Sequence, residues 1–209
     1  MKKDLLFDLD DTLVSLNESK DLAIIETLNF YLDKIFSIKD INAYKSFFKE
    51  KNIFILIELI LKEFKTITSI DFIKDNFLKF YVKIGFEREK MLINTSLLKD
   101  LKTKYDLNII TNRPRIFFDI IWKDRLNKYF KNVVCVDDFV NIPKKPNSLI
   151  ITNAIEKLKL NAEFYIGNEE NDLIASKNAG LKCVLINSNK NLNADFILND
   201  INEISNLFL

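Results

Sequence analysis

Histidine is absent from the 209 residues, and glycine, proline and cysteine are nearly so, with three, three and two copies. Without histidine there is no Ser-His-Asp or Cys-His catalysis, no histidine-ligated zinc and no imidazole proton shuttle. The glycines stand at Gly85, Gly167 and Gly180, too far apart to write a G-x-G-x-x-G dinucleotide loop or a Walker-type phosphate loop. Cys135 and Cys183 each sit in an apolar run of the kind that becomes a buried strand, so inert core thiols are expected rather than a disulfide. Charge of one sign is also lacking, since 31 Lys and Arg stand against 30 Asp and Glu for a net +1. That balance offers no global field to steer nucleic acid or an anionic membrane, and neither is expected as a partner. Long apolar runs are missing too. Lys2, Lys3, Asp4, Asp8 and Asp10 occupy the N-terminal stretch where a signal peptide needs apolar residues, so a cytoplasmic protein is expected.

What is present supports real burial: 48% of the residues are hydrophobic, enough for one substantial domain or a core with a small satellite. Residues 4–7 predict a short buried strand that runs into the acidic stretch Asp8-Leu9-Asp10-Asp11-Thr12. From about residue 19 to residue 90 the period becomes helical, with Leu22, Ile25, Leu28, Leu32, Ile35 and Phe36 at spacings of three and four. Segments 41–49 and 70–84 follow the same rule. Segment 53–64 is almost wholly apolar, so its period does not separate helix from strand, and helix is expected from its neighbours. Beyond residue 94 the pattern alternates: helix 96–104, strand 107–110, helix 115–122, strand 133–136, helix 148–158, strand 164–166, helix 171–179, strand 183–186, a short 196–198 and a last helix. Alternation of this kind predicts an α/β fold, a Rossmann-like parallel sheet with helices on both faces. One strand stands apart from its sheet by roughly seventy residues of helical period, the mark of an insertion. The expected domains are a core of residues 1–15 and 94–209 and an all-helical cap of residues 16–93.

In a parallel sheet, ligands gather at the carboxyl ends of the strands. The polar residues fall there: Asp8, Asp10 and Thr12 after the first strand, Thr111-Asn112-Arg113-Pro114 after the next, Lys144-Lys145-Pro146-Asn147 before a helix, and Gly167-Asn168-Glu169-Glu170-Asn171-Asp172 after another strand. In extended chain, residues two apart face the same side, so Asp8 and Asp10 can address one ligand. Two such carboxylates call for a cation between them or a shared proton. An oxygen-rich site without imidazole or thiolate suits Mg²⁺, with Mn²⁺ as the alternative.

These four segments resemble the four motifs of the haloacid dehalogenase superfamily, in its aspartyl-phosphatase branch with a helical, C1-type cap, and are similar to phosphoglycolate-phosphatase-like members. Asp8-Leu9-Asp10-Asp11-Thr12 matches D-x-D-x-T, Thr111 the second-motif hydroxyl, Lys145-Pro146 the third motif and Gly167 through Asp172 the fourth. The resemblance implies a Mg²⁺-dependent phosphatase acting on a small phosphorylated metabolite through an aspartyl-phosphate intermediate. It casts Asp8 as nucleophile, Asp10 as acid and base, Thr111 as a holder of phosphoryl oxygens and Lys145 as the balancing charge. Thr12, Asn112 and Arg113 are candidate substrate contacts; Asp8, Asp10, Asn168 and Asp172 are candidate metal residues. One position departs from the pattern. The first acid of the fourth motif is Asn168, which can ligate a hard cation but brings no charge, and Glu169 beside it is an alternative ligand. The same departure motivates a second reading, a catalytically weak phospholigand-binding protein of the same fold. Neither the physiological substrate nor the oligomeric state is readable from the residues.

Overall fold

The computed structural model describes residues 2–49, 52–187 and 192–209. In chain order, β1 (Lys3–Phe7) and β2 (Val14–Ser15) precede four helices, α1 (Ser19–Tyr31), α2 (Ile38–Phe48), α3 (Ile53–Glu63) and α4 (Ile70–Arg88). There follow β3 (Lys90–Met91), α5 (Thr95–Lys104), β4 (Tyr105–Ile110), α6 (Arg115–Ile121), α7 (Lys123–Leu126) and β5 (Asn132–Val134). The chain closes with α8 (Leu149–Leu158), β6 (Ala162–Gly167), α9 (Glu170–Asn178), β7 (Lys182–Ile186), β8 (Phe196–Leu198), a 3₁₀ turn (Ile201–Ile204) and α10 (Ser205–Phe208). Two compact units result, Met1–Ser15 with Lys90–Leu209, and Leu16–Glu89.

The first unit holds a six-stranded sheet in the order β5-β4-β1-β6-β7-β8, and every pairing in it is parallel. This is the Rossmann-like α/β core that the alternation predicts. The isolated N-terminal strand lies at its centre because it is apolar on both faces, as a parallel strand covered on both sides must be. Leu6 packs with Ile110, Val134, Ile150, Ile151 and Tyr165 on one side; Phe7 meets the Phe130 ring edge-on at 5.8 Å. Both thiols are free and buried. Burial pushes Cys135 up to about 12 and Cys183 up to about 11, which leaves them as inert packing groups.

Residues 90–93, which the change of period predicts within the insertion, lie in the core unit. Lys90 and Met91 pair antiparallel with Ser15 and Val14, a ribbon of two residues a side, too short to leave a period in the sequence. The second unit is the helical insertion. Its α3 is the all-apolar segment, and Leu56, Ile57, Ile60 and Leu61 form its buried face, the helical spacing that apolarity on every side had hidden. Ser37, Asn52 and Ser69 cap α2, α3 and α4 with side-chain oxygens. Buried Glu89 accepts from Tyr81 Oη at 2.6 Å and Ser19 Oγ at 2.9 Å, tying the end of α4 to the start of α1. Among the described residues, no helix is long and apolar enough to cross a membrane.

A buried polar ladder crosses the amino-terminal edge of the sheet. Asn132 Nδ2 donates to Asn108 Oδ1 at 2.7 Å, Asn108 Nδ2 to Asp4 Oδ1 at 2.9 Å, and the backbone N–H of Asn161 to Asp4 Oδ2 at 2.7 Å. It links β5, β4 and β1, where the β1–β6 register shifts between Asp4 and Leu5. Asp4→Ala removes the acceptor of the Asn161 N–H and one of the two acceptors of Asn108 Nδ2, the other being Asp106 O at 3.1 Å, so it is expected to lower unfolding stability by about 1–3 kcal/mol in denaturant titrations, with Asp4→Asn losing less. Equal midpoints for wild type and Asp4→Ala would show that the ladder is dispensable.

Candidate active site

The site grows from the carboxyl edge of β1. The Asp8 N–H donates to Ile166 O at 2.8 Å, carrying the β1–β6 pairing one residue past the strand and fixing where the Asp8 side chain emerges. A tight turn follows, in which Leu9 O accepts from the N–H of Thr12 at 3.3 Å, Leu13 at 2.9 Å and Val14 at 3.1 Å. Asp11 takes the left-handed conformation there, with φ of 55°. The turn swings Thr12 back, so that its hydroxyl lies 3.0 Å from Asn168 Oδ1 and 3.5 Å from Asp8 Oδ2.

Lys145 is the hub. Its Nζ donates to Asp8 Oδ1 at 2.5 Å, Asp172 Oδ1 at 2.6 Å and Tyr165 Oη at 2.7 Å, with Ile110 O at 3.4 Å. Its backbone is bracketed by Asn112, whose Oδ1 accepts from the Lys145 N–H at 2.9 Å while its Nδ2 donates to Lys145 O at 3.1 Å. Tyr165 donates in turn to Ile110 O at 2.7 Å. Asp172 Oδ2 accepts the N–H groups of Asn168 and Glu169, both at 3.1 Å, so the first turn of α9 is fastened to the carboxylate that orients the lysine.

The electrostatics follow from burial. Desolvation raises Asp8 to about 7; Lys145 opposes that rise, and the Asp172 and Asp10 carboxylates add to it. Burial works against the Lys145 ammonium, but Asp8, Tyr165 and Asp172 outweigh it and the lysine keeps its proton. Desolvation also holds Tyr165 as the neutral phenol. Arg113 pairs with Asp10 through Nε and Nη2, both 2.7 Å from Oδ1. Three carboxylates therefore share two cations.

Every candidate residue lies on the carboxyl edge, but several meet protein where substrate or metal is expected. Arg113 is only 2% exposed and holds Asp10; Asn112 holds the Lys145 backbone; Thr12 is fully buried and bridges Asp8 to Asn168. Asp172 has Oδ1 on Lys145 and Oδ2 on the backbone amides of Asn168 and Glu169, so the contacts it makes orient the lysine. Among the described residues, no cluster of three or more His, Cys, Asp and Glu is arranged to hold a metal. Two oxygens gathered by the Thr12 hydroxyl, Asp8 Oδ2 and Asn168 Oδ1, are of the kind that fits a hard cation. Glu169 stands at the N-cap of α9 and accepts from Asn171 Nδ2 at 3.2 Å, turned toward its helix. Thr111, 1% exposed, accepts the Arg113 N–H at 3.1 Å through Oγ1. Its proton finds no acceptor among the described residues. Tyr165 is the residue that sequence reasoning misses, since it lies inside the apolar run of β6 and only its hydroxyl, two residues before Gly167, marks it.

A family model of haloacid dehalogenase-like hydrolases matches residues 5–186. The chain belongs to that family. It is 32% identical to a phosphoglycolate phosphatase of Vibrio cholerae over 107 residues, a match spanning 49% of this chain and 46% of that one. Over 191 residues it is 26% identical to the pyrophosphatase PpaX of Bacillus mycoides, covering 87% and 81% of the two chains. The solved structure of the HAD-hydrolase YfnB from Bacillus subtilis, described as bound to magnesium, superposes with a TM-score of 0.79 at 18% identity over 99% of this chain and 98% of that one. That last likeness is one of fold. Family and named relatives together make this hydrolase one of the phosphatase type.

Gly167 tests the hub. A Cβ there would lie 2.5 Å from Asp172 Cβ and Cγ and 2.6 Å from its Oδ2. Gly167→Ala is expected to push Asp172 off Lys145, lowering phosphatase turnover at least roughly tenfold with a fall in melting temperature. Unchanged turnover would show that the aspartate does not position the lysine.

Proposed function

We propose that this hydrolase cleaves small phosphate monoesters in two displacements, with Asp8 as nucleophile and Asp10 as acid and base. The observation that carries the reading is the arrangement of Asp8: one oxygen is held by Lys145, and the other faces Thr12 and Asn168 at the strand edge. A carboxylate oxygen of Asp8 attacks phosphorus as the ester P–O bond breaks, and Asp10 delivers a proton to the departing oxygen. Water then attacks the acyl phosphate and gives its proton to Asp10. The bond between phosphorus and the Asp8 oxygen breaks, phosphate leaves and the carboxylate is restored. Lys145 compensates charge beside the nucleophile throughout, and the Thr111 hydroxyl donates to a phosphoryl oxygen. Asp8, the Asp10 carbonyl and Asn168 would hold Mg²⁺, with Mn²⁺ as a substitute. When bound, the ion neutralises enough charge for an anionic nucleophile to meet an anionic phosphate. The substrate class is a small phosphorylated metabolite, in line with the phosphoglycolate phosphatase named above, and the cytoplasm is the proposed compartment.

Asp8→Asn keeps volume and removes the nucleophile, so turnover of p-nitrophenyl phosphate is expected to fall by roughly 10³-fold or more while calorimetric binding of inorganic phosphate persists. Appreciable hydrolysis by the verified variant would rule out the covalent route.

Asn168 favours a second reading, a phospholigand-binding protein with little turnover, because its amide brings no charge to the cation. The two readings part in a Mg²⁺ titration. Asn168→Asp adds a charge at a contact position, and after desolvation the expected gain in Mg²⁺ affinity is roughly tenfold to a hundredfold, by calorimetry and by half-saturation of activity. Glu169→Gln is expected to leave both unchanged. Affinity lost in Glu169→Gln and unmoved in Asn168→Asp would make Glu169 the ligand. Mg²⁺ binding without turnover of any phosphate monoester would favour the second reading.

A further inference from the structure

The Asp10–Arg113 pair joins two strand edges that are far apart in sequence. Arg113 Nε and Nη2 both lie 2.7 Å from the same oxygen, Asp10 Oδ1. The guanidinium side chain is 1% exposed and the Asp10 side chain 18%. The arginine is thus sealed in and its partner reaches the open edge. At its backbone Arg113 is equally fixed, with its N–H on Thr111 Oγ1 at 3.1 Å and its carbonyl accepting from Val136 at 3.4 Å. Two rigid anchors therefore flank one carboxylate, the turn after β1 that carries Asp10 and the turn after β4 that carries Arg113.

We infer that Arg113 is a positioning residue that sets the orientation of the Asp10 carboxylate for proton transfer, rather than a contact for substrate. The inference rests on the proton-transfer role proposed for Asp10. Nε donates the hydrogen bond to Asp10 Oδ1 while Nη2 brings charge to the same oxygen at 2.7 Å, and a planar guanidinium held this way fixes the direction of approach as well as the distance, as a rotating ammonium does not. A long side chain reaching out to bind phosphate would have to give up its contact with Asp10 Oδ1 and its burial, against the geometry on both counts. The carboxylate turned toward the reacting ester is the end of a chain of contacts running from the backbone of β4 to the edge of β1. Misplacement by even about 1 Å is costly for a group that acts during bond cleavage.

A leaving-group series decides it, because proton delivery matters little for an activated phenol and much for a poor leaving group. Wild type, Arg113→Gln, Arg113→Lys, Asp10→Asn and the double variant Asp10→Asn with Arg113→Gln would be assayed for kcat and KM on p-nitrophenyl, 4-chlorophenyl and phenyl phosphate. Arg113→Gln is expected to lose roughly tenfold to a hundredfold more kcat/KM on phenyl phosphate than on p-nitrophenyl phosphate, with Arg113→Lys recovering part of the difference. The double variant is expected to be no slower than Asp10→Asn alone, since Arg113 acts only through Asp10. Equal losses across the series beside a leaving-group-dependent Asp10→Asn would overturn the inference and leave the role of Asp10 standing. A flat Asp10→Asn profile would overturn that role and the inference with it. A rise in KM with kcat intact in Arg113→Gln would make the arginine a substrate contact. If Arg113→Gln does not fold, the same cycle run with Arg113→Lys carries the test.

Discussion

One buried ammonium organises this molecule. Lys145 Nζ touches Asp8, Asp172, Tyr165 and the carbonyl of Ile110, and these come from the carboxyl edges of β1, β4 and β6 and from α9. Each contact is costly to leave unmade, since a carboxylate buried without its partner loses several kcal/mol. The demand runs outward. The lysine needs two acids, the second acid needs the amides of Asn168 and Glu169, and those amides exist as donors only because α9 starts there. Gly167 is the residue that lets α9 come so close. The geometry of the strand edge is thus the solution to a charge problem, and the hydrophobic core beneath it, Leu6, Ile110, Tyr165 and their neighbours, supplies the rigid floor.

Lacking histidine, the site offers for proton and charge chemistry groups whose ordinary protonation ranges lie far from neutrality. Burial brings Asp8 up to about 7, and the other carboxylates are assigned fixed partners. Arg113 faces Asp10, and Lys145 faces Asp8 and Asp172. Three carboxylates beside two cations, with Asp8 Oδ2 and Asn168 Oδ1 gathered around one hydroxyl, make a place whose negative charge a divalent cation would relieve before a phosphate dianion arrives.

Much of this arrangement is legible in the residues because it follows from period and from strand ends. The alternation after residue 94 and the stranded N-terminal segment determine the sheet, and polar residues at apolar strand ends locate Asp8, Thr12, Thr111, Lys145, Asn168 and Asp172 on one edge. Partner choice is not legible. Nothing local to Arg113 says that it turns to Asp10, or to Asn112 that it brackets a lysine backbone; these are consequences of packing between segments distant in the chain. Tyr165 is hidden for another reason: inside an apolar strand, a phenol reads as bulk until a buried cation is found beside it. Asp4, Asn108 and Asn132 are hidden likewise, as isolated polar residues in strands that join into a ladder only once the sheet forms.

The ribbon of Val14–Ser15 with Lys90–Met91 has a consequence for how such a protein can change. Because the chain leaves and rejoins the core through two paired strands, roughly 5 Å apart, the sheet registers only that its two stubs meet. Everything between Leu16 and Glu89 closes on itself, with Glu89 clasped by Ser19 and Tyr81 at its own base. A helical insertion of different length or packing can therefore be exchanged between the same two paired strands while the register of the six-stranded sheet, which carries the candidate site residues, stays as it is.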